Sequence, residues 1–100
     1  MLTDEERIDW LRLIRSENVG PITFRQLLLR LGDAATALEA LPALARRGGR
    51  LRPLNIFAKS AAEREIEQLA RMDARLVAFC EPDYPYALAA VDDAPPLIAV

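Results

Sequence analysis

The side chains that carry most enzyme chemistry are nearly absent from this chain. It contains no histidine and a single cysteine, Cys80. Ser–His and Cys–His catalytic pairs are therefore excluded within the chain. A zinc site, which needs several Cys or His ligands, is not expected either. Carboxylates, Lys59 and a few hydroxyls remain, and no spacing arranges them into a catalytic site. We expect a protein that is not an enzyme, holds no metal and needs no cofactor.

One stretch of the sequence is strongly basic, namely RRGGRLRPLNIFAK, from residue 46 to residue 59. It carries five cations and no acid, namely Arg46, Arg47, Arg50, Arg52 and Lys59. A stretch of one charge sign is a candidate contact for the phosphate backbone of DNA. The same composition is typical of a solvated loop after a short helix. The sequence leaves both interpretations open.

The charge of the whole chain limits this hypothesis. The net charge is −2, so the chain as a whole is not a basic nucleic-acid binder. The distribution is uneven: residues 1–72 have a balance of +2 and residues 73–100 a balance of −4. A fraction of 52% apolar and 28% charged residues indicates a soluble globular protein. The first seven residues are acidic and lack the apolar core of a secretion signal, and no apolar run is long enough to span a membrane. A single cysteine cannot form an internal disulfide, which is typical of cytoplasmic proteins.

Helices are the predicted elements over most of the chain. Thr3 and Glu6 form a capping-box pattern that begins the first helix, which we expect to end near Glu17. Apolar residues at helical spacing predict the others. The second helix is predicted from Pro21 or Thr23 to Leu31, the third from its cap Asp33 to Leu41, and a short fourth begins at Pro42. A longer helix, capped by Asn55 or Ser60, is expected to end near Met72. Its inward face is predicted to hold Ala62, Ile66, Leu69 and Ala70.

The first two helices are joined by a hairpin, which we define as residues 18–21. Asn18 tolerates a left-handed backbone, and Pro21 prevents the first helix from continuing. Helix-hairpin-helix modules bind phosphate through backbone N–H groups of a glycine hairpin and of the helix that follows. Here Asn18 replaces the first glycine and Pro21 lacks an N–H, which leaves Arg25 as the candidate contact. The alternative, which we favour, is a turn that only packs two apolar helix faces.

After Asp73 the pattern changes to short apolar segments. Residues 75–80 and 97–100 predict buried strands, and YALAAV between them predicts a short helix. Strands that are apolar throughout indicate a parallel α/β sheet. Two short strands cannot complete such a sheet, so we expect the chain to be a fragment of a longer protein. We also expect Cys80 to be buried.

The aromatic residues are predicted to be structural. Trp10, Phe24 and Phe79 fall at positions typical of a core. Tyr84 precedes acidic residues that would repel phosphate, so base stacking is not favoured. We expect its ring to pack against the sheet with the hydroxyl hydrogen-bonded.

Two stretches carry a resemblance to a known family. They are NVGP followed by LLLRLGDAATALEAL, and the stretch LVAFCEPDYPYALAAVDDAPPLIAV. The most specific part is Tyr84-Pro85 with Leu88, followed by DAPPL leading into an apolar strand. Together they resemble the amino-terminal part of the DNA-processing protein A family (DprA, also called Smf).

The resemblance implies a mainly α fold. A helical domain of the sterile-alpha-motif (SAM-like) or helix-hairpin-helix type would occupy residues 1–72, and residues 73–100 would begin an incomplete Rossmann-like DNA-binding domain. It further implies a non-enzymatic protein that binds and protects single-stranded DNA and helps to load the RecA recombinase in natural transformation. A homodimer is implied for the full-length protein. The alternative is a protein–protein interaction or dimerisation module with little DNA affinity, marked by Leu29 beside Arg25 and Arg30.

Overall fold

The computed structural model describes residues 1–49 and 54–100. Their elements, in chain order, are α1 (Asp4–Arg15), α2 (Pro21–Leu31), α3 (Ala34–Arg47), α4 (Lys59–Arg71), β1 (Leu76–Ala78), α5 (Tyr86–Ala89) and β2 (Leu97–Ala99). The predicted mainly helical fold is confirmed. No helix in the described ranges combines the length and the apolar character needed to cross a membrane.

Local chemistry explains where the first helices begin and end. The Thr3 hydroxyl accepts from the Glu6 N–H, and the Glu6 carboxylate accepts from the Thr3 N–H, so the predicted capping box is confirmed. Asn18 has a φ of 65°, the left-handed conformation expected of it. Gly32 ends α2 with a φ of 95°, and the Asp33 carboxylate caps α3 by accepting from a backbone N–H.

The predicted break at Pro42 is wrong. Pro42 lies inside α3, which runs without interruption from Ala34 to Arg47. A proline in a helix interior has no N–H to donate to the carbonyl four residues earlier. The helix continues because its apolar face holds Leu38 and Leu41 in the core on one side of the proline and Leu44 against it on the other. The Pro42 ring itself faces solvent.

The predicted cap of α4 is also wrong. Its N-cap is Ala58, which has no side chain able to accept a hydrogen bond, while Ser60 lies within the first turn. The inward face is narrower than expected: Ala62 is buried, Ile66 and Leu69 are half-buried, and Ala70 is exposed. Packing of this stripe against Leu11 therefore holds the helix in place without a polar cap.

An aromatic cluster forms the centre of the core. The Trp10 ring meets the Phe24 ring at a centroid distance of 5.0 Å and the Phe79 ring at 5.1 Å, both edge to face. The predicted core positions are confirmed, with Phe24 fully buried and Phe79 half-buried. Leu13, Leu27, Leu38 and Ala78 join the cluster, so β1 packs directly on the helices.

The two strands pair antiparallel, with Leu76 opposite Ala99 and Ala78 opposite Leu97. The predicted parallel arrangement is wrong for these strands. The connection between them folds back on itself: the Glu81 N–H donates to the Ala78 carbonyl, and the Tyr84 hydroxyl donates to the Pro95 carbonyl at 2.7 Å. It therefore returns the chain at the end where β1 finishes, which is the geometry of an antiparallel pair.

Tyr84 and Cys80 lie in this connection, and both were predicted to pack within the fold. Tyr84 is buried and its hydroxyl is hydrogen-bonded, as predicted. Cys80 is exposed, so its predicted burial is wrong. Partial desolvation nevertheless raises the pKa of the Cys80 thiol, which keeps it protonated at neutral pH. The boundary after residue 72 stays a prediction, and residues on both sides of it share the core.

Candidate nucleic-acid interface

Ser16, the C-cap residue of α1, forms hydrogen bonds that fix the backbone just before the hairpin. The Ser16 hydroxyl donates to the Arg12 carbonyl at 2.7 Å and accepts from the Phe57 N–H at 3.2 Å. Arg12 Nε in turn donates to the Phe57 carbonyl at 2.9 Å. Ser16 is 5% exposed, so these bonds lie within the fold. They tie the end of the basic segment to the base of the hairpin.

A second pair of hydrogen bonds brings the basic segment alongside the hairpin itself. The Glu17 N–H donates to the Asn55 carbonyl at 2.9 Å, and the Asn55 N–H donates to Glu17 Oε2 at 3.0 Å. The segment therefore returns beside residues 16–18, although about 38 positions separate them in sequence. Sequence analysis treated the hairpin and the basic segment as separate hypotheses, and the structure places them together.

The two features share one surface groove of about 520 Å³. Glu17, Asn18 and Thr23 line it on one side, and Gly48 and Gly49 line it from the end of α3. Its floor is apolar and is formed by Leu27, Leu41, Leu44 and Leu54. We call this depression the hairpin groove.

The N-terminus of α2 reaches this groove only through Thr23, because Gly20 and Pro21 line a different depression together with Glu65. Gly20 is the N-cap, Pro21 occupies the first helical position, and no side chain caps the helix. The first turn also carries no acid, so the positive end of the helix dipole is not neutralised there. A Cβ built on Gly20 would meet nothing within 4 Å. The backbone N–H groups of Ile22 and Thr23 are therefore positioned for an external acceptor.

The predicted cations fall at different places around the groove. Arg46 and Arg47 are exposed in the last turn of α3, directly before the glycines that line it. Arg50 and Arg52 lie outside the described residues. Lys59 begins α4 and is exposed. It lies close enough to Asp9 to oppose the effect of burial, which raises the pKa of that carboxyl.

Arg25 does not point toward the hairpin groove. Its guanidinium carbon lies 4.8 Å from the centroid of the Phe79 ring, a cation–π arrangement. The side chain lines a different depression together with Leu28, Leu29 and Ala89. Of the six predicted site residues, Arg46 and Arg47 directly precede the glycines that line the hairpin groove, and Arg25 lines a different depression.

Sequence analysis missed the residues that join the two features. Arg12 and Ser16 fall within the first predicted helix, and Glu17 falls at its predicted end. Their partners are backbone groups of Asn55 and Phe57, which have no sequence signature. The one available signal was a serine at a helix end followed by a turn, which does not indicate which distant residue the serine contacts.

Comparison with known protein families identifies the domain formed by the helices. Residues 4–68 match the family model described as the DprA-like N-terminal HHH domain, where HHH denotes helix-hairpin-helix. The match covers α1 to α3, the hairpin, the basic segment and most of α4. No curated protein matches the chain.

Proposed function

Since this chain belongs to the DprA family through its N-terminal domain, we propose that it is part of a non-enzymatic protein that binds single-stranded DNA. By resemblance to that family, the whole protein works in the cytoplasm as a homodimer. It protects incoming DNA and helps to load RecA recombinase during natural transformation. The Rossmann-like domain that the resemblance implies after residue 72 is part of the same proposal.

For this chain, the proposal rests on the proximity of the basic segment to the hairpin, which the hydrogen bonds between Glu17 and Asn55 establish. A DNA backbone laid across the hairpin groove would pass Thr23, in the uncapped first turn of α2, and the two glycines that directly follow Arg46 and Arg47. Backbone N–H groups and arginines are the usual donors to phosphate oxygens. Neither feature selects a base, so the contact would be independent of sequence.

Salt-dependent binding tests this contact. Labelled single-stranded DNA is titrated with the 100-residue chain at several salt concentrations, for the wild type and for the double variant Arg46→Ala, Arg47→Ala. Each lost phosphate contact lowers the salt slope by about 0.7, so the double variant is expected to lose about 1.4. A double variant Arg30→Ala, Arg64→Ala removes the same charge from exposed positions that do not line the hairpin groove, and it serves as the matched control.

The hairpin contributes separately in this scheme. Gly20 has a φ of −96° and open space where a Cβ would stand, so Gly20→Ala is compatible with the fold. The added methyl group lies beside the free N–H groups and is expected to weaken DNA binding about two- to fivefold. Equal slopes for the wild type and the Arg46/Arg47 variant, together with unchanged affinity for Gly20→Ala, would show that DNA does not bind at the hairpin groove.

The alternative function, a protein–protein interaction module, rests on another part of the surface. Leu29 on α2 is 86% exposed and borders the depression that contains Arg25. This surface lies apart from the hairpin groove, so both functions are compatible with one chain.

A further inference from the structure

A second groove lies between α2 and the connection that follows β1. Its volume is about 380 Å³, and its walls are Leu28, Leu29, Phe79 and Ala89, with Arg25 at one side. We call it the Arg25 groove. Four of these five side chains are apolar, so the groove offers water a poor environment and an apolar ligand a good one.

Arg25 has no anionic partner within the described ranges. None of the ion pairs formed there involves it. Its Nε is buried and donates no hydrogen bond. The Phe79 ring at 4.8 Å compensates for only part of the lost hydration, because a cation–π contact is weaker than a charge-assisted hydrogen bond. A carboxylate brought to this guanidinium would supply the missing partner.

The α2 side of the Arg25 groove is apolar and basic. Helix α2 contains two arginines and no acid. Leu29 is 86% exposed, and Tyr86, one turn before Ala89, is 93% exposed. Large apolar side chains exposed beside a groove are typical of surfaces that bind another protein. The combination favours a partner that brings apolar side chains and negative charge together.

We propose that the Arg25 groove binds an acidic amphipathic helix from a different protein. Leucine-like side chains spaced i, i+3 and i+4 on that helix would fill the space between Leu28, Leu29 and Ala89, as in other helix-in-groove complexes. A glutamate or aspartate of the same helix would accept from the Arg25 guanidinium. Phosphate is a poorer occupant, because the described residues of the walls include no second cation and no polar side chain besides Arg25.

The test uses a defined probe and the 100-residue chain. The probe is an end-blocked helical peptide of about 14 residues, with leucines on one face and glutamates beside them. A second peptide carries lysine in place of every glutamate. Amide chemical shifts of ¹⁵N-labelled protein are followed during titration. We expect changes centred on Arg25, Leu29, Phe79 and Ala89, and affinity for the glutamate peptide roughly tenfold higher than for the lysine peptide.

Variants separate the charge contribution from the apolar one. Arg25→Gln is expected to reduce affinity for the glutamate peptide about tenfold and to remove the preference over the lysine peptide. Arg30→Gln removes the same charge from an exposed position on the same helix, and it is expected to change affinity by less than about twofold. Leu29→Asp is expected to abolish binding, and because Leu29 is so exposed, the fold tolerates the change. Circular dichroism melts confirm that each variant is folded.

Four results would overturn the proposal. The first is no binding of the glutamate peptide at about 1 mM. The second is equal affinity for the two peptides. The third is that single-stranded DNA produces the same shift changes, which would make the groove a nucleic-acid contact. The fourth is a concentration-dependent dimer that Leu29→Asp dissociates, which would make a second copy of this chain the occupant. A loss of DNA binding at the hairpin groove would leave the proposal intact.

Discussion

Arg7 and Glu81 form a two-point ion pair that joins the beginning of α1 to the turn after β1. Nη1 lies 2.6 Å from Oε1, and Nη2 lies 2.8 Å from Oε2. The Glu81 carboxylate also accepts from the Ala78 N–H, and Arg7 donates to the Leu76 carbonyl. These bonds occupy backbone groups of β1 on the side away from β2, so the ion pair also covers the outer edge of the sheet.

Removing the charge of Glu81 is expected to destabilise the protein strongly. The Glu81 side chain is 3% exposed and that of Arg7 is 17% exposed, so Glu81→Gln leaves a largely buried guanidinium without its anion. We expect the free energy of unfolding to fall by about 3–5 kcal/mol, measured by urea denaturation followed through Trp10 fluorescence. Asp83→Asn breaks the exposed pair with Arg75 and should cost less than about 1 kcal/mol. A similar loss for both variants would contradict this account.

Acid is expected to unfold the protein through the same carboxylate. The hydrogen bonds from Arg7 lower the pKa of Glu81 from 4.5 to about 2. A depressed folded pKa stabilises the protein above the unfolded value, so this contribution is complete above pH 4.5 and is lost as the pH falls toward 2. The shift corresponds to about 3 kcal/mol.

Unfolding free energies measured from pH 7 to pH 2 check this prediction. Glu81→Gln should flatten the curve between about pH 4.5 and pH 2. The variant should retain a smaller acid sensitivity, because hydrogen bonds from backbone groups also lower the pKa values of Glu6 and Asp33. Parallel curves for the wild type and the variant would mean that the pair does not control acid stability.

Gly32 is expected to be required at the end of α2. Its φ of 95° lies in a region that residues with a side chain rarely adopt, although a Cβ there would meet nothing within 4 Å. Gly32→Ala should therefore cost about 1–3 kcal/mol through backbone strain alone. Gly48 ends α3 with a φ of −78° and ordinary contacts around a Cβ, so Gly48→Ala is the control and should change stability by less than about 0.5 kcal/mol. Comparable costs at the two sites would argue against strain.

Replacing Pro42 is expected to stabilise the protein. The Pro42 ring is exposed and forms no part of the core, and an alanine would restore an N–H that can donate to the Leu38 carbonyl. Alanine exceeds proline in helix propensity by about 3 kcal/mol, which the greater freedom of the unfolded chain partly offsets, so we expect a net gain of about 1–2 kcal/mol. Thermal melts of Pro42→Ala and of Ala35→Gly, an exposed destabilising control on the same helix, test the sign. A lower melting temperature for Pro42→Ala would show that the proline stabilises α3.

The sequence alone determined the elements whose causes are local. Thr3 with Glu6 placed the start of α1, Gly32 the end of α2 and Asp33 the start of α3, because caps and left-handed residues act within a few positions. Asn18 marked the turn between α1 and α2. Apolar spacing placed Trp10, Phe24 and Phe79 in the core. The resemblance to the DprA family, which the match over residues 4–68 confirms, also followed from residue patterns.

Only the tertiary structure decided the features that depend on distant partners. The local signal of Pro42 was overridden by the packing of Leu38, Leu41 and Leu44. The antiparallel pairing of β1 with β2 depends on how the connection folds back, which short apolar strands do not encode. The candidate sites also depend on contacts between residues that are far apart in sequence. Hydrogen bonds across about 40 positions bring the basic segment to the hairpin, and packing of Arg25 on Phe79 turns that arginine toward another groove.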